Sequence, residues 1–330
     1  MKYFINFINF VVFQSMLISD IRIKLYNKKL IILINITILI YISYIIFKLK
    51  KINIKVCICT IGKKENKYIR EYIDYYKNYG IDKIFLYDNN NLDGEKFEEV
   101  INEYITQNFV EIKNWRGINK PQMMIYNDCF TKNYNKFEWL FFNDIDEYIY
   151  LRNYNNIKKF LNKPRFKKCE NIQLNWLLHT DNNLIHYLNK SLLERFVEKD
   201  PFAEKRNLNK HSNGKSILKG HIPNIKITNF HCISDQLKTC NGFWKIRNNI
   251  QKDYKYYYIN HYFSKSTEEF IDKLKKGDVY KGTILDKISR YFSYNEITLK
   301  KINYIEKELK LNLNYYRKKI TQNKIKKKIT

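Results

Sequence analysis

From Lys55 onward, short apolar runs alternate with stretches whose apolar residues recur at intervals of three and four. That alternation of strand and amphipathic-helix periods predicts an α/β fold. Val56–Thr60 reads as a first strand. Glu65 to Tyr79 places Ile69, Ile73 and Tyr76 on one helical face, and Gly80 supplies the stop. A second strand covers Lys83–Tyr87 and runs into the turn-rich Asp88-Asn-Asn-Asn-Leu-Asp-Gly94. Helix over Phe97–Ile105, strand over Phe109–Ile112 and helix over Gln122–Tyr134 follow. They lead to a fourth strand, Trp139-Leu-Phe-Phe-Asn-Asp-Ile-Asp-Glu147.

That fourth strand ends in two carboxylates spaced by one residue. Alternation along a strand would turn Asp144 and Asp146 to the same face. Two adjacent carboxylates repel, so one must hold a proton or a cation must sit between them. A hard divalent ion, Mg²⁺ or Mn²⁺, meets that demand and leaves positions for phosphate oxygens. The blander reading is a solvated acidic turn, since short acidic motifs are frequent. Placement sharpens the choice. Open α/β sheets bind ligands beyond the carboxyl ends of their strands. Thr60, Asp88, Trp115–Arg116 and Asp144–Asp146 all fall at such ends and are expected to ring one crevice.

Beyond Leu151 the alternation becomes irregular. Strands are expected at Ile172–Leu178, Lys215–Leu218, Ile225–His231 and Tyr256–Phe263. Ser266-Thr-Glu-Glu269 has the spacing of a capping box, so a helix should start there and run to Gly277, with Lys265 placed beside its N-terminus for a phosphate. The competing reading of Lys265 is an ordinary solvated side chain.

The N-terminal part has a different character. Leu30–Phe47 is eighteen residues without a charge, bracketed by Lys28-Lys29 and by Lys48, Lys50 and Lys51. It is just long enough for a transmembrane helix, with snorkelling lysines at both ends. Residues 1–29 form a weaker apolar and basic segment, whose first nineteen residues read as a second span, an interfacial helix or a signal-like leader. The expected location is therefore a membrane, through a single-pass or two-pass N-terminal anchor.

Composition changes this picture little. Hydrophobic residues make up 45% of the 330-residue chain and aromatics 16%, ample for a core. The net charge of +27 raises nucleic acid as a partner. However, the lysines are scattered and accompanied by abundant Asn, Ile and Tyr, the pattern of codon bias in an AT-rich genome, so no nucleic-acid partner is expected. Six cysteines form no C-x-x-C pair and no zinc spacing. Reduced thiols in a reducing compartment are the simpler expectation, with one bridge left open.

In order along residues 55–280 the chain carries Cys59-Thr-Ile-Gly-Lys-Lys-Glu-Asn66, Ile84-Phe-Leu-Tyr-Asp-Asn-Asn90, Arg116-Gly117, Gln122 and Tyr126-Asn-Asp-Cys129. Trp139 with Asp144-Ile-Asp-Glu147, Leu174-Asn-Trp176, Asp181-Asn182, Glu194-Arg-Phe196, Lys215-Ser-Ile217 and His261-Tyr-Phe-x-Lys-Ser-x-Glu-Glu-Phe270 follow. This series resembles glycosyltransferases of the GT-A type, in particular family 92 and its family 2-like capsular relatives. The resemblance implies a Rossmann-like nucleotide-diphospho-sugar transferase fold with a mixed central sheet and flanking helices. It would occupy residues 52–285, split into a nucleotide-binding half (52–150) and an acceptor half (151–285), before a basic helical tail (286–330). It implies a nucleoside-diphosphate sugar donor, UDP-linked, a Mn²⁺ or Mg²⁺ cofactor, and a glycan, glycolipid or glycoprotein acceptor, with inversion at the sugar carbon.

Carried over residue by residue, Thr60, Glu65 and Asp88 fall where such enzymes hold the nucleoside. Asn89, Arg116, Gln122, Asp144 and Lys265 complete the expected donor site. Asp144, Asp146 and His261 are the expected metal ligands. Asp181 is the first candidate for the base that takes the acceptor proton, and Glu194 the second. Their blander readings are an Asx turn and an ion pair with Arg195. Asn143 departs from the acidic or apolar residue of relatives, and no role is expected of it. Two other function classes remain: a metal-dependent nucleotidyl- or sugar-phosphate transferase, and a non-enzymatic basic membrane protein binding an anionic polymer.

Overall fold

The computed structural model describes residues 35–43, 54–200, 213–229, 231, 237–243, 255–275 and 282–329. Residues 1–53 and 54–330 form separate units. In the first unit, residues 35–43 are helical. Among the described residues no helix is long and apolar enough to cross a membrane, so the transmembrane helix expected over 30–47 is not borne out. The rest of that segment, and residues 1–29, lie outside the described residues.

The second unit is built on a mixed sheet ordered β3-β2-β1-β4-β7-β6-β9-β5, where β1 is Val56–Gly62, β2 Lys83–Asp88, β3 Val110–Asn114, β4 Trp139–Phe142, β5 Glu147–Leu151, β6 Asn171–Leu178, β7 Gly214–Lys219 and β9 Tyr257–His261. The two-residue strand β8, Thr239–Cys240, pairs with β6. Strands β1 to β4 are mutually parallel, which brings their carboxyl ends to one edge. β7 then runs antiparallel between β4 and β6. β6 is shared: residues 171–175 pair with β7, while 176–178 pair with β9. That turn of the sheet carries β9 and β5 around to the end of β4. The strand expected over 225–231 is not formed at residues 225–229.

Helix α1 (Asn66–Asn78) covers β1 and the acidic turn with Tyr68, Ile69, Tyr72, Ile73 and Tyr76, all buried. Full burial of a large apolar side chain contributes about 1.5–3 kcal/mol each. Gly80 ends the helix at φ 88°, a backbone region that only glycine enters without strain. The remaining helices of the α/β half, α2 (Glu98–Thr106) and α3 (Gln122–Asn133), fall within a residue or so of the periodic segments. Two short helices, α4 (Ile157–Leu161) and α5 (Leu192–Arg195), follow in the irregular half.

Two differences from the sequence reading are substantial. The first concerns residues 286–330, expected as a tail. Helices α7 (Ile284–Tyr294) and α8 (Leu299–Leu309) instead pack with α6 (Thr267–Lys275) around Phe270, Ile271, Ile288, Tyr291, Phe292, Ile302 and Ile305. An apolar face at helical spacing needs a partner, and α6 supplies it. The second concerns cysteine. Cys59–Cys129 and Cys169–Cys240 are disulfides, so the expectation of reduced thiols fails for these four. Persistent bridges belong to an oxidising environment. Cys57 is a buried free thiol, and Cys232 lies outside the described residues.

Candidate functional site

The acidic motif does not continue a strand. β4 stops at Phe142 and β5 begins at Glu147, so Asp144 and Asp146 sit in the connection, where the Glu147 N–H closes a turn on the Asp144 carbonyl. Strand alternation therefore does not apply, and the two carboxylates face different partners. Asp144 meets a lysine. Lys215 Nζ, on β7 and fully buried, lies 2.8 Å from Asp144 and 3.7 Å from Glu147. Gln122 Nε2 (3.2 Å) and the Tyr126 hydroxyl (3.4 Å) also donate to Asp144. Burial opposes the Lys215 charge, but Asp144 and Glu147 outweigh it and keep the ammonium protonated.

Asp146 faces the other way. One oxygen lies 3.6 Å from His261 Nε2 and the other 3.2 Å from Lys273 Nζ. Burial would raise its carboxyl; the ammonium groups of Lys273 and Lys265 outweigh burial and hold it well below the usual carboxylate range. His261 is pushed well below its ordinary value, chiefly by burial, so its imidazole is neutral, the form that ligates metals. Its Nδ1 is buried with no hydrogen-bond partner among the described residues. Ligand atoms of Asp146, Glu147 and His261 lie within 4.8 Å of one another. β5 and β9 pair Glu147 directly with His261, which explains why residues so distant in sequence meet. Two carboxylate oxygens and an imidazole nitrogen make a donor set that suits Mn²⁺ or Mg²⁺, so the residues fit such an ion. Sequence reading named Asp146 and His261 and missed Glu147, which looked like the end of an acidic turn.

Asn143, from which nothing was expected, organises this turn. Its side chain is fully buried, accepts from the Tyr72 hydroxyl at 2.7 Å and donates to Tyr76 Oη at 2.9 Å and to the Glu147 carbonyl at 3.2 Å. The Tyr76 hydroxyl donates to the same carbonyl at 2.8 Å. An acidic or apolar residue could not both donate and accept here.

The other candidates divide into those the structure brings together and those it does not. At the β2 end, the Asp88 carboxylate is closed by Arg116 at 2.8 Å and by the Asn90 N–H. Arg116 also donates to the carbonyls of Asn91, Gly94 and Glu95, so it pins the loop after β2. Asn89 ties that loop to the carbonyls of Trp115 and Ile118. Thr60 is fully buried at the neighbouring β1 end. Glu65 meets Lys265 at 3.4 Å, and the Lys265 ammonium lies 3.7 Å from the centre of the Tyr68 ring. The predicted capping box forms: Ser266 and Glu269 exchange hydrogen bonds at the start of α6.

Asp181 is committed elsewhere. Lys301 Nζ lies 2.7 Å from its carboxylate, the Tyr291 hydroxyl donates to the same oxygen, and the other oxygen accepts from the Asn183 N–H in an Asx turn. With the carboxylate 2% exposed, it anchors α7 and α8 instead of facing an acceptor. Glu194 is exposed on the four-residue α5, and Arg195 turns away from it to pair with Glu269 at 2.7 Å.

Comparison with known proteins adds independent findings. The glycosyltransferase family 92 model matches residues 52–317. A family 92 protein of Ricinus communis is 34% identical over 98 residues, 29% of this chain and 16% of that protein. One of Arabidopsis thaliana is 32% identical over 106 residues, 31% of this chain and 18% of that protein. The match thus spans less than a fifth of the length of these curated relatives. Among solved structures, S. aureus TarS 1-349 in complex with UDP covers 79% of this chain and 76% of its own, with 12% identity and a TM-score of 0.34. The mannosyltransferase PcManGT from Pyrobaculum calidifontis, in complex with GDP-Man and Mn²⁺, covers 37% and 35%, with 10% identity and a TM-score of 0.28. At these scores the structural likeness is distant. The family model, by contrast, spans most of the sequence, and the chain belongs to glycosyltransferase family 92.

Proposed function

We propose that the protein is a divalent-metal-dependent glycosyltransferase of the GT-A type. It moves a sugar from a nucleoside-diphosphate donor, UDP-linked, to a carbohydrate-bearing acceptor. The observation that carries the reading is the buried cluster of Asp146, Glu147 and His261 at the β4–β5 connection, on the edge formed by the parallel strand ends. These three residues would hold the metal. When bound, the ion supplies charge stabilisation for a departing diphosphate. Asp144, neutralised by Lys215, shapes the wall of the site and is not a ligand in this reading. Lys215 offsets the repulsion between Asp144 and Glu147, so that the carboxylates are held close together without metal. The β2 loop pinned by Arg116 is the surface on which the nucleoside would rest. Inversion is carried over from the family resemblance, and the anomeric configuration of the product, read by NMR, checks it.

The test is a panel of nucleotide sugars incubated with the protein and Mn²⁺, with release of free nucleoside diphosphate as the readout. At least one donor should turn over with Mn²⁺ and stop with EDTA. Release of pyrophosphate or nucleoside monophosphate instead would assign the chemistry to phosphorus and overturn the reading.

A further inference from the structure

The Mn²⁺ or Mg²⁺ site leaves a set of cations unexplained. Lys273, on α6, donates to Asp146 at 3.2 Å with its side chain 24% exposed. Arg290, on α7, approaches the same aromatic ring: the Lys273 ammonium lies 4.8 Å from the Phe263 centroid and the Arg290 guanidinium 4.7 Å. Phe263 follows β9 directly, and its ring lies 5.9 Å from that of His261. Lys273 and Arg290 both act electrostatically on His261, and Lys265 acts on Asp146. Three cations from the segment after β9 thus converge beside the proposed metal ligands.

We propose that Lys273 and Arg290 clamp the donor diphosphate, with Lys273 passing from Asp146 to a phosphate oxygen when a divalent ion takes that carboxylate. The inference rests on the metal reading above. A divalent ion at Asp146 and the Lys273 ammonium repel each other across one carboxylate. The ammonium is the member able to move, being a compact charge on a flexible four-carbon stem. A diphosphate supplies the acceptor oxygens it then needs, and charge-assisted hydrogen bonds to phosphate are among the stronger ones. The Phe263 face offers both cations a favourable resting place near the site while no phosphate is bound. A departing diphosphate carries more negative charge than one divalent ion cancels, so two further cations aimed at it would stabilise the leaving group.

The experiment measures Mn²⁺ alone, then inorganic pyrophosphate in the presence of Mn²⁺, by isothermal titration of the full chain, its Lys273→Met, Lys273→Arg and Arg290→Met variants. Lys273→Met should bind Mn²⁺ several-fold more tightly and pyrophosphate about tenfold more weakly, opposite directions that a merely structural lysine would not produce. Lys273→Arg should keep pyrophosphate affinity within about threefold, and Arg290→Met should weaken it while tightening Mn²⁺ binding less than Lys273→Met does. Pyrophosphate binding unchanged in both methionine variants overturns the clamp. Unchanged Mn²⁺ affinity in Lys273→Met overturns the handover alone. Failure of the wild-type chain to bind Mn²⁺ overturns the metal reading together with the handover.

Discussion

Replacing Lys215 by methionine removes the cation on which the acidic turn depends. Its ammonium is fully buried, 2.8 Å from Asp144 and 3.7 Å from Glu147. At an effective dielectric of about 20, the Asp144 separation corresponds to an attraction of about 6 kcal/mol, whereas burial pushes the Glu147 carboxyl up, so that its ion pair with Lys215 counts for less. Desolvation of the buried ions takes back several kcal/mol per ion, so the pair adds little net stability compared with an apolar replacement of all three groups. Breaking it one-sidedly is different. The methionine side chain fills the volume but leaves Glu147 in a fully buried position with Asp144 beside it and no counter-charge. The expected cost is about 3–5 kcal/mol, or a fall in Tm on the order of 10 °C for a domain of this size. Urea unfolding followed by far-UV circular dichroism, with both disulfides intact, measures it. The double variant Lys215→Met/Glu147→Gln should regain roughly half the loss, because it discharges one orphaned carboxylate. A Tm within about 1 °C of wild type for Lys215→Met would refute the reasoning. A double variant no better than the single would place the cost in packing instead of charge.

Three further outcomes follow from neighbouring contacts. Asp181→Asn removes the counter-charge of the fully buried Lys301 ammonium, leaving it the Asn183 side chain and the Glu296 carbonyl, and should lower stability by about 3 kcal/mol in the same unfolding assay; wild-type stability with lost turnover would restore the catalytic role first expected of Asp181. Asn143→Leu loses the hydrogen bonds to Tyr72, Tyr76 and the Glu147 carbonyl, costing about 3 kcal/mol and weakening Mn²⁺ binding; unchanged Mn²⁺ affinity would detach Asn143 from the site. Burial would raise the Glu269 carboxyl, but hydrogen bonds from Arg195, Ser266 and Tyr68 hold it at about 2, below its ordinary 4.5. A depressed folded value means the stabilisation is complete above pH 4.5 and is lost as pH falls toward 2, about 3 kcal/mol in all; Glu269→Gln should flatten that stretch of the stability curve, and an unaltered acid limb would contradict it.

The sequence was most legible where periodicity is long and locally determined. The first three helices and strands of the α/β half follow from apolar spacing and from Gly80, because each buries one face of its own element. The Ser266–Glu269 capping box was equally legible, since both partners lie within one turn. The acidic motif was found but misassigned in detail, because its two aspartates leave the strand before alternation can govern them. Lys215 and Lys273 come from elements far along the chain, and no local pattern marks a lysine that points inward. The Glu147–His261 pairing depends on β9 lying against β5, a non-local register that one strand's sequence does not specify. Asn143 was passed over because an isolated Asn beside two aspartates looks like turn chemistry. Its burial against two tyrosines of α1 is visible only after folding. The disulfides were illegible for a similar reason, since cysteines some seventy positions apart carry no spacing signature.

The central claim is that Asp146, Glu147 and His261 bind a divalent cation while Asp144 is reserved for Lys215. Titration of Mn²⁺ into wild type, Asp146→Asn and Asp144→Asn, each shown to be folded by its melting curve, tests it most directly. The account predicts that Asp146→Asn loses Mn²⁺ binding and that Asp144→Asn keeps it within about threefold. Loss of binding in Asp144→Asn with retention in Asp146→Asn would contradict it.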